Sequence, residues 1–479
     1  MKTLRRTMIR ALAAAAAVLA LAACQAIPVS GPVREGLSNL DLAERSVQFT
    51  PSGPQPGATQ EEIVRGFVRA ALSSVNDYEV AREFLSPDYE RQWDPSYGVM
   101  VDDGSLQYDD TSENIGVLSF GLIATVDGSG TLVTVEPDKK TEVPFELTQV
   151  RGEWRISSAP AGVILGRDTF TTTWVPRQLY FLNGADRLVP ETHWFLNRQT
   201  LTTQVVRELM SGPSEQMQTV LHTAFPAGTT LTSGTVPVND GIAFVDVTPE
   251  LFDADVTAME HLKRQLAASL QTVAGVTGYQ LAVQGAVIES GAVSGPDDTA
   301  STEHQYVVAL KDDQFGVAAA GEVQPIDGLG PRVVSLQPQS VSMSVDRGAA
   351  AVLSEVGVHL VTTDETMLIE AGPGRLTPSI DNSGYVWTYD RAAPGVITVG
   401  QPFEARQQLQ ATWLTGTPVA VRVSLGGNRI AVLVNDDGSS VVYVGGIERD
   451  ASGRPIALSE DATPQLWTAG QPIDLDWIS

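Results

Sequence analysis

The spacing of apolar and polar positions changes character three times along the chain. From Thr59, TQEEIVRGFVRAALSS places Ile63, Phe67, Ala70 and Ala71 on one helical face, and Thr59 and Glu62 have the spacing of a reciprocal cap. Val80, Phe84 and Leu85 carry the stripe into a second helix, which LSPDYERQWDP ends. Strict alternation follows in GVLSFGLIATVDGSGTLVTV and KKTEVPFELTQVRGEWRISSAP, the pattern of antiparallel strands turning at Asp127-Gly128 and Arg151-Gly152. From about Thr171 the period switches back and forth. The strand RQLYFLNGADRLVPETHWF leads to the helix NRQTLTTQVVRELM, stopped by Gly212-Pro213. A pair of strands turned at Asn239-Asp240-Gly241 then precedes a helix over about Ala254 to Val273, with Leu262, Leu266, Ala267 and Leu270 inward, and GYQLAVQGAVI closes the unit. From Gln305 only short strands and glycine turns are expected. Aligning Gly348, Gly384 and Gly427 gives spacings of 36 and 43 residues, the length of a β-propeller blade.

The N-terminus follows another logic. Lys2, Arg5, Arg6 and Arg10 precede an unbroken apolar run, Ala11 to Ala22, the charged and hydrophobic parts of a secretory signal. Twelve residues make about 18 Å of helix, too short for a hydrocarbon core of ~30 Å. The run ends in Leu21-Ala22-Ala23-Cys24, and Cys24 is the single cysteine of the chain, so neither an internal disulfide nor a thiolate metal site can use it. This ending resembles the lipobox of bacterial lipoproteins. The resemblance implies cleavage between Ala23 and Cys24 and acylation of the new N-terminus, with residues 1–23 as signal peptide and 24–55 as a Pro-, Gly- and Ser-rich lipidated tether.

Charge narrows the list of partners. The chain carries 31 Lys+Arg against 57 Asp+Glu, a formal net charge of −26, and loss of residues 1–23 takes four basic and no acidic residues, leaving −30. No basic stripe remains to follow a phosphate backbone, which excludes nucleic acid, and anionic head groups would repel the body, so lipid must hold it at the membrane.

Candidate chemistry is sparse. His193, His222, His261, His304 and His359 are scattered without a metal-binding pair spacing, so only a zinc site assembled from distant residues could use them. GPSEQ (212–216) and GSG (128–130) are turns that lack the lysine of a phosphate loop. SIDNSGYVW (379–387) resembles the Asp-box hairpin of sialidase propellers with one extra residue before Gly384, and that box is a structural hairpin rather than a catalytic element. Asp102-Asp103-Gly104 and Asp436-Asp437-Gly438 read as hairpin turns rather than calcium loops. Trp154 reads as a core aromatic. No catalytic residue, cofactor or metal is expected.

Three resemblances organise the body. Helices followed by a curved sheet ending in GEWRI resemble an NTF2-like α+β cone (56–167). The alternation carrying YFLNGADRLVP, LMSGP, FPAGT and AFVDVT resembles the α+β GerMN domain of sporulation and cell-envelope proteins (171–290). Irregular all-β propeller blades follow (305–479), about four at roughly 40–45 residues each. They are expected to form an incomplete ring with an unpaired terminal edge, another blade beginning at QPIDLDWIS. In this order, with CQAIPVSGPV, GATQEEIVRGFVRA and FLSPDYERQWDP, the chain resembles the LpqB lipoproteins of actinobacteria, whose propeller continues further. The resemblance implies a non-enzymatic accessory lipoprotein on the extracytoplasmic face of the cell membrane. It would engage the extracytoplasmic domain of a sensor histidine kinase of the MtrA–MtrB two-component system, in cell-wall homeostasis and division. The competing reading is a cell-wall glycan or peptide binder, possibly hydrolytic. A cone cavity lined by acids, Tyr and Trp would favour it, and a filled cone would favour the accessory role.

Mass spectrometry of the mature N-terminal peptide should find acylated Cys24 at its start. Cys24→Ala should release the protein from the membrane without unfolding its domains, because no domain core contains that sulfur. An unmodified cysteine, or a cut at another bond, would refute the lipobox assignment.

Overall fold

Thr59 and Glu62 cap the first helix as their spacing requires. The Thr59 amide donates to Glu62 Oε2 at 2.7 Å, and the Glu62 amide donates back to Thr59 Oγ1 at 3.3 Å. The computed structural model describes residues 51–136, 139–295, 307–401, 404–436 and 439–477. Cys24, the Ala23–Cys24 bond, the tether up to Thr50, His304, Gln305, Asp437 and Gly438 lie outside them. The helix, α1 (Gln60–Ala70), buries Ile63, Val64, Phe67 and Val68. The second helix is shorter than its apolar stripe suggests: Asn76, Asp77 and Tyr78 all take left-handed backbone angles, leaving α2 as Glu79–Arg82. LSPDYERQWDP does not simply end it. Ser86 caps a further turn, α3 (Pro87–Glu90), with Pro87 at its start.

The first sheet comprises β1 (Val99–Asp102), β2 (Gln107–Ser112), β3 (Ile115–Val126), β4 (Leu132–Thr134), β5 (Lys140–Val150), β6 (Glu153–Ser158) and β7 (Val163–Gly166). Its order is β6-β5-β3-β1-β7. The long β3 makes it curl. Its N-terminal half lies between β2 and β5, and its C-terminal half between β1 and β4. The change of partner falls at Gly121, where a Cβ would come 2.1 Å from Asp103 Oδ2. Inside the curl, Phe67 meets Trp93 edge-on at 5.1 Å and Phe145 at 6.3 Å, while Tyr78 packs on Trp93 at 5.8 Å. These aromatics pack the centre of the curl, a cavity of about 240 Å³ remains between α1 and the sheet beside the buried Asp102, and Trp154 packs half-buried against this core.

A short helix, α4 (Arg167–Thr173), connects β7 directly to β8 (Trp174–Asn183), which pairs with β9 (Leu188–Leu196) and β10 (Leu221–His222). The second sheet is β11 (Val238–Asn239), β12 (Ile242–Val247), β13 (Gly278–Val283) and β14 (Ala286–Ala292), with β12 and β13 parallel. Helices α5 (Leu201–Ser211) and α6 (Val256–Leu270) bury Val205, Val206, Leu209, Leu262, Leu266 and Leu270 in one core with these sheets. The expected glycine stop holds, with Gly212 at φ +102°. The Asp240-Gly241 turn has both residues at positive φ, as a two-residue hairpin requires.

Beyond residue 306 come four sheets. They are β15–β17 (Val307–Lys311, Gln314–Ala319, Glu322–Pro325), β18–β21 (Ser340–Met343, Ala349–Leu353, Gly357–Thr362, Thr366–Ala371), β22–β25 (Ser379–Ile380, Val386–Tyr389, Val396–Gly400, Gln407–Gln410) and β26–β29 (Thr417–Val423, Arg429–Asp436, Ser439–Arg449, Pro455–Ala469). Each is an antiparallel meander in chain order, the form of a propeller blade. Gly348, Gly384 and Gly427 each lie in the turn between the first two strands of their sheet. The first blade turns instead on Asp312 and Asp313, both at positive φ, which glycine alignment could not find. Two expectations need correction. The region is not made of strands alone, since α7 (Leu329–Ser335) packs Leu329 and Val333 against Phe315, Val352 and Val361. Residues 474–477 begin no strand: Asp474 accepts two hydrogen bonds from Arg422 Nη2, at 2.6 and 2.8 Å, and Trp477 Nε1 donates to the Arg422 carbonyl at 3.1 Å. Side-chain contacts thus take the place of a backbone ladder beside β26. At the other side of this blade, β29 pairs with β28 and lies beside β4 and β25.

The Asp-box-like turn is structural. Asp381 accepts the amides of Ser383 (2.9 Å) and Tyr385 (3.1 Å), the Trp387 indole N–H (3.0 Å) and Arg449 Nη2 (2.5 Å). Arg449 also donates within its own blade to the carbonyls of Gly427 (2.6 Å) and Gly453 (2.8 Å), so its bond to Asp381 ties the third blade to the fourth. The two side chains are 0% and 1% exposed. Asp381→Ala leaves a buried guanidinium without its counter-charge and should cost about 3–5 kcal/mol in urea unfolding. A loss under ~1 kcal/mol would show that the pair does not hold the blades together.

Candidate functional site

The β8–β9 hairpin makes hydrogen bonds to the first domain, to the rest of its own domain and to the fourth blade. β9 alternates inward and outward, and Glu191, His193 and Phe195 point inward together. Two of these are ionisable and buried, at 8% and 0% exposure, so they need partners. The first domain supplies one: His193 Nδ1 lies 2.7 Å from the Ser129 carbonyl, and one residue on the Trp194 amide donates to Gly130 O at 2.7 Å. Gly130, at φ +87°, allows this approach, since a Cβ there would stand 2.7 Å from the Trp194 carbonyl. The hairpin's own domain supplies Ser214, whose hydroxyl and amide both donate to Glu191. The fourth blade supplies Arg429, which donates to Pro190 O, and Asn428, whose Oδ1 accepts from Asn183 Nδ2 at 2.8 Å. At the hairpin tip a Cβ on Gly184 would stand 2.4 Å from the Arg449 carbonyl.

Protonation follows from this geometry. A carbonyl can only accept, so His193 Nδ1 carries hydrogen, and Nε2 faces Glu191 Oε2 at 3.4 Å. Burial opposes a charge on His193, but the hydrogen bond and charge of Glu191 and the Ser129 carbonyl outweigh it, and its pKa is raised. Burial likewise pushes Glu191 up, but His193, Ser214 and Arg429 bring it below the usual value. Glu208, on α5 beside this pair, is pushed up to about 7 by burial and by the charges of Asp127 and Glu191, against an opposing pull from His193. The trio Ser214, Glu191 and His193 is not a hydrolase triad. The serine proton is directed at the carboxylate, whereas nucleophilic catalysis needs it directed at the imidazole.

Of the chemistry considered from sequence, His193, GSG and GPSEQ meet at this junction, and the other histidines and the Asp-Asp-Gly turn at 102–104 fall elsewhere. His261 Nδ1 is 3.9 Å from Asp186, His359 Nδ1 is 3.4 Å from Ser354 Oγ, and His222 is exposed at the end of β10. Among the described residues no group of three His, Cys, Asp or Glu is placed to hold a metal ion. Asp102 is buried and Asp103 exposed, and each folds its carboxylate onto the turn, accepting from the Gly104 amide at 2.7 Å and the Ser105 amide at 2.9 Å. GPSEQ is a turn, as expected, but its Ser214 is the buried partner of Glu191. The sequence signal for the junction was ETH, a charged residue and a histidine two apart at the inward positions of an alternating strand.

Two cavities flank the junction. One, of about 480 Å³, lies between the first two domains and is lined by Arg82, Arg198, Arg207, Trp174, Trp194 and Glu208 among others. The other, of about 750 Å³, shares Asp127, Gly128 and Glu208 with it and runs past Tyr97 and Ser211–Glu215.

Stability should register Glu208. Its folded pKa of about 7 stands above its ordinary 4.5, so the folded state holds the extra proton between these values and stability falls as pH rises through them. His193, also raised, adds a contribution that is present below its ordinary pKa and lost as pH rises through the folded one. Glu191, lowered, acts at the acid end, where its contribution disappears as pH falls through its folded value. Glu208→Gln should remove most of the decline between pH 5 and 7, up to about 3 kcal/mol. Urea midpoints across that range measure it, and an undiminished decline would assign the effect to other groups.

Comparison with known proteins covers nearly the whole described body. The profile for "Lipoprotein LpqB, N-terminal domain" matches residues 53–171, "Sporulation and spore germination" matches 178–289, and "Lipoprotein LpqB beta-propeller domain" matches 313–479. Lipoprotein LpqB of Cutibacterium acnes is 26% identical over 453 residues, spanning 88% of this chain and 74% of that one. Lipoprotein LpqB of Streptomyces coelicolor is 28% identical over 523 residues, spanning 94% and 82%. Among solved structures, the first GerMN domain of Bacillus subtilis GerM is 19% identical, spanning 26% of this chain and 91% of that one, with a TM-score of 0.22. With both LpqB-specific profiles matched, in order, on either side of the GerMN-type domain, the chain belongs to the LpqB family of lipoproteins.

Proposed function

We propose that this protein is a lipid-anchored accessory lipoprotein on the extracytoplasmic face of the cell membrane, without catalytic activity of its own. Its role is to bind the extracytoplasmic domain of a sensor histidine kinase of the MtrB type and modulate MtrA–MtrB signalling in cell-wall homeostasis and division. The observation that carries this reading is the fusion of three domains into one body around β8–β9. Buried hydrogen bonds from Ser129, Ser214 and Asn428 fix the domains to one hairpin and its own module. A surface spanning more than one domain therefore keeps its shape before a partner arrives, which lowers the ordering cost of association. The interior of the first domain is consistent with this reading: Phe67, Trp93 and Phe145 pack its centre, and the cavity of about 240 Å³ that remains between α1 and the sheet is lined by no Tyr or Trp. Membership in the LpqB family supports the anchor and the accessory role. No described helix is long and apolar enough to cross a membrane, and attachment is assigned to acylated Cys24.

The purified full chain should bind the isolated extracytoplasmic domain of such a kinase saturably in surface-based kinetics. Raising salt from about 0.05 to 0.5 M should slow association more than it speeds dissociation, since distant charges mainly steer encounter. In parallel, peptidoglycan fragments incubated with the protein should be recovered unchanged. Absence of kinase binding, or glycan turnover that is lost when a cleft carboxylate is replaced, would overturn the reading.

A further inference from the structure

We propose that the cleft between the first two domains is a binding site for a short acidic glycan. Acids outnumber bases 57 to 31 in the chain, yet Arg82, Arg91, Arg198 and Arg207 all line this one cavity of about 480 Å³. That volume is within the usual range for small-ligand sites. Two indoles complete the walls. Trp194 is half-buried and packs on Phe170 at a centroid distance of 4.9 Å. Trp174 is 9% exposed and lines the same cavity.

The mixture of groups selects the ligand class. Guanidiniums and carboxylates both line the cavity: Arg82 bonds to Asp77 at 2.7 Å, and Asp94, Asp127 and Glu208 are among the other lining residues. Arginine can only donate and an ionised aspartate can only accept. A hydroxyl does both, so a polyhydroxylated ring can satisfy neighbours of opposite type, while its C–H face lies against an indole. A lipid chain would use none of these polar groups, and a polyphosphate carries more negative charge than one unengaged guanidinium, that of Arg198, can offset beside four acids.

Three arginines are already occupied. Arg82 bonds to Asp77, Arg91 to Asp88 at 2.7 Å, and Arg207 to the Gly234 carbonyl at 3.0 Å. Arg198 is exposed on the rim, and among the described residues no side-chain hydrogen bond or ion pair engages its guanidinium. Its guanidinium is the group placed to fork onto a carboxylate of the ligand. The adjoining cavity of about 750 Å³, which shares Asp127, Gly128 and Glu208, gives a longer chain room to continue past Tyr97. Burial of Glu208 favours its protonated form, which can donate to a sugar oxygen.

Tryptophan fluorescence of the detergent-solubilised full chain can test this, since Trp93, Trp174 and Trp194 line the cleft. The probes are the disaccharide glucuronyl-glucose, the neutral disaccharide cellobiose and the dipeptide Ala-Glu, which bears carboxylates without a sugar ring. The acidic disaccharide should give a saturable change, and both other probes should bind at least about tenfold more weakly. Arg198→Ala should lower affinity for the acidic disaccharide to the level of cellobiose while leaving the urea midpoint unchanged, because that side chain holds nothing in the fold. No saturable change with the acidic disaccharide, equal binding of either control, or unaltered affinity in Arg198→Ala would each overturn the proposal. The inference does not rest on the kinase reading, and either can fail without the other.

Discussion

An alternating strand that turns a glutamate and a histidine inward cannot be buried by an apolar surface. Glu191 and His193 sit on β9 at 8% and 0% exposure, and no single domain supplies all that they need. Ser129 comes from the first domain, Ser214 from the second, and Arg429 contributes its charge from the fourth blade. Taking any neighbour away would leave a buried polar group unpaired, at a cost of about 1–3 kcal/mol or more for a charge. The requirement to satisfy two side chains therefore fixes the placement of three domains. The close approaches at Gly130 and Gly184 are its steric counterpart, since a Cβ at either would push a neighbouring module away.

The same burial decides what chemistry the junction can perform. Serine, histidine and glutamate lie together, which in another order would be a nucleophile, its base and an orienting acid. Here the glutamate stands in the middle. Its oxygens are taken by the serine hydroxyl and amide, and the imidazole proton on Nδ1 goes to a backbone carbonyl. The arrangement stabilises charge in place and directs no imidazole lone pair at the hydroxyl. Identity of residues is therefore not enough, and donor direction separates a clamp from a catalyst.

Much of this fold was legible in sequence because its signals are local. The Thr59–Glu62 cap, the Gly212 stop, the Asp240-Gly241 turn and the glycine turns of three blades each depend on a few neighbouring residues, and each stands where its spacing put it. The misreadings share a cause as well. The helix after Asn76 is cut short by three successive left-handed residues, none of them glycine, and α7 interrupts a stretch read wholly as strands. The first blade turns on two aspartates instead of a glycine. The junction itself was invisible because its members come from positions 129, 191, 193, 214 and 429, and only the folded chain brings them together. A buried polar pair shows in sequence only as an anomaly in alternation, without its partners.

The two buried polar centres differ in a way that bears on dynamics. Asp381 and Arg449 are both engaged several times over, the carboxylate by four donors and the guanidinium by three acceptors. A network satisfied to that degree specifies one arrangement of blades and resists opening. The Glu191–His193 centre is less complete. His193 Nε2 stands 3.4 Å from its nearest carboxylate oxygen, and Glu208, displaced upward to about 7, is a group beside it whose charge changes near neutrality. Protonation therefore alters the attraction across the first junction, where the cleft lies. The contact between the third and fourth blades is thus held by a closed network, whereas the seam between the first two domains carries ionisable groups that respond to pH.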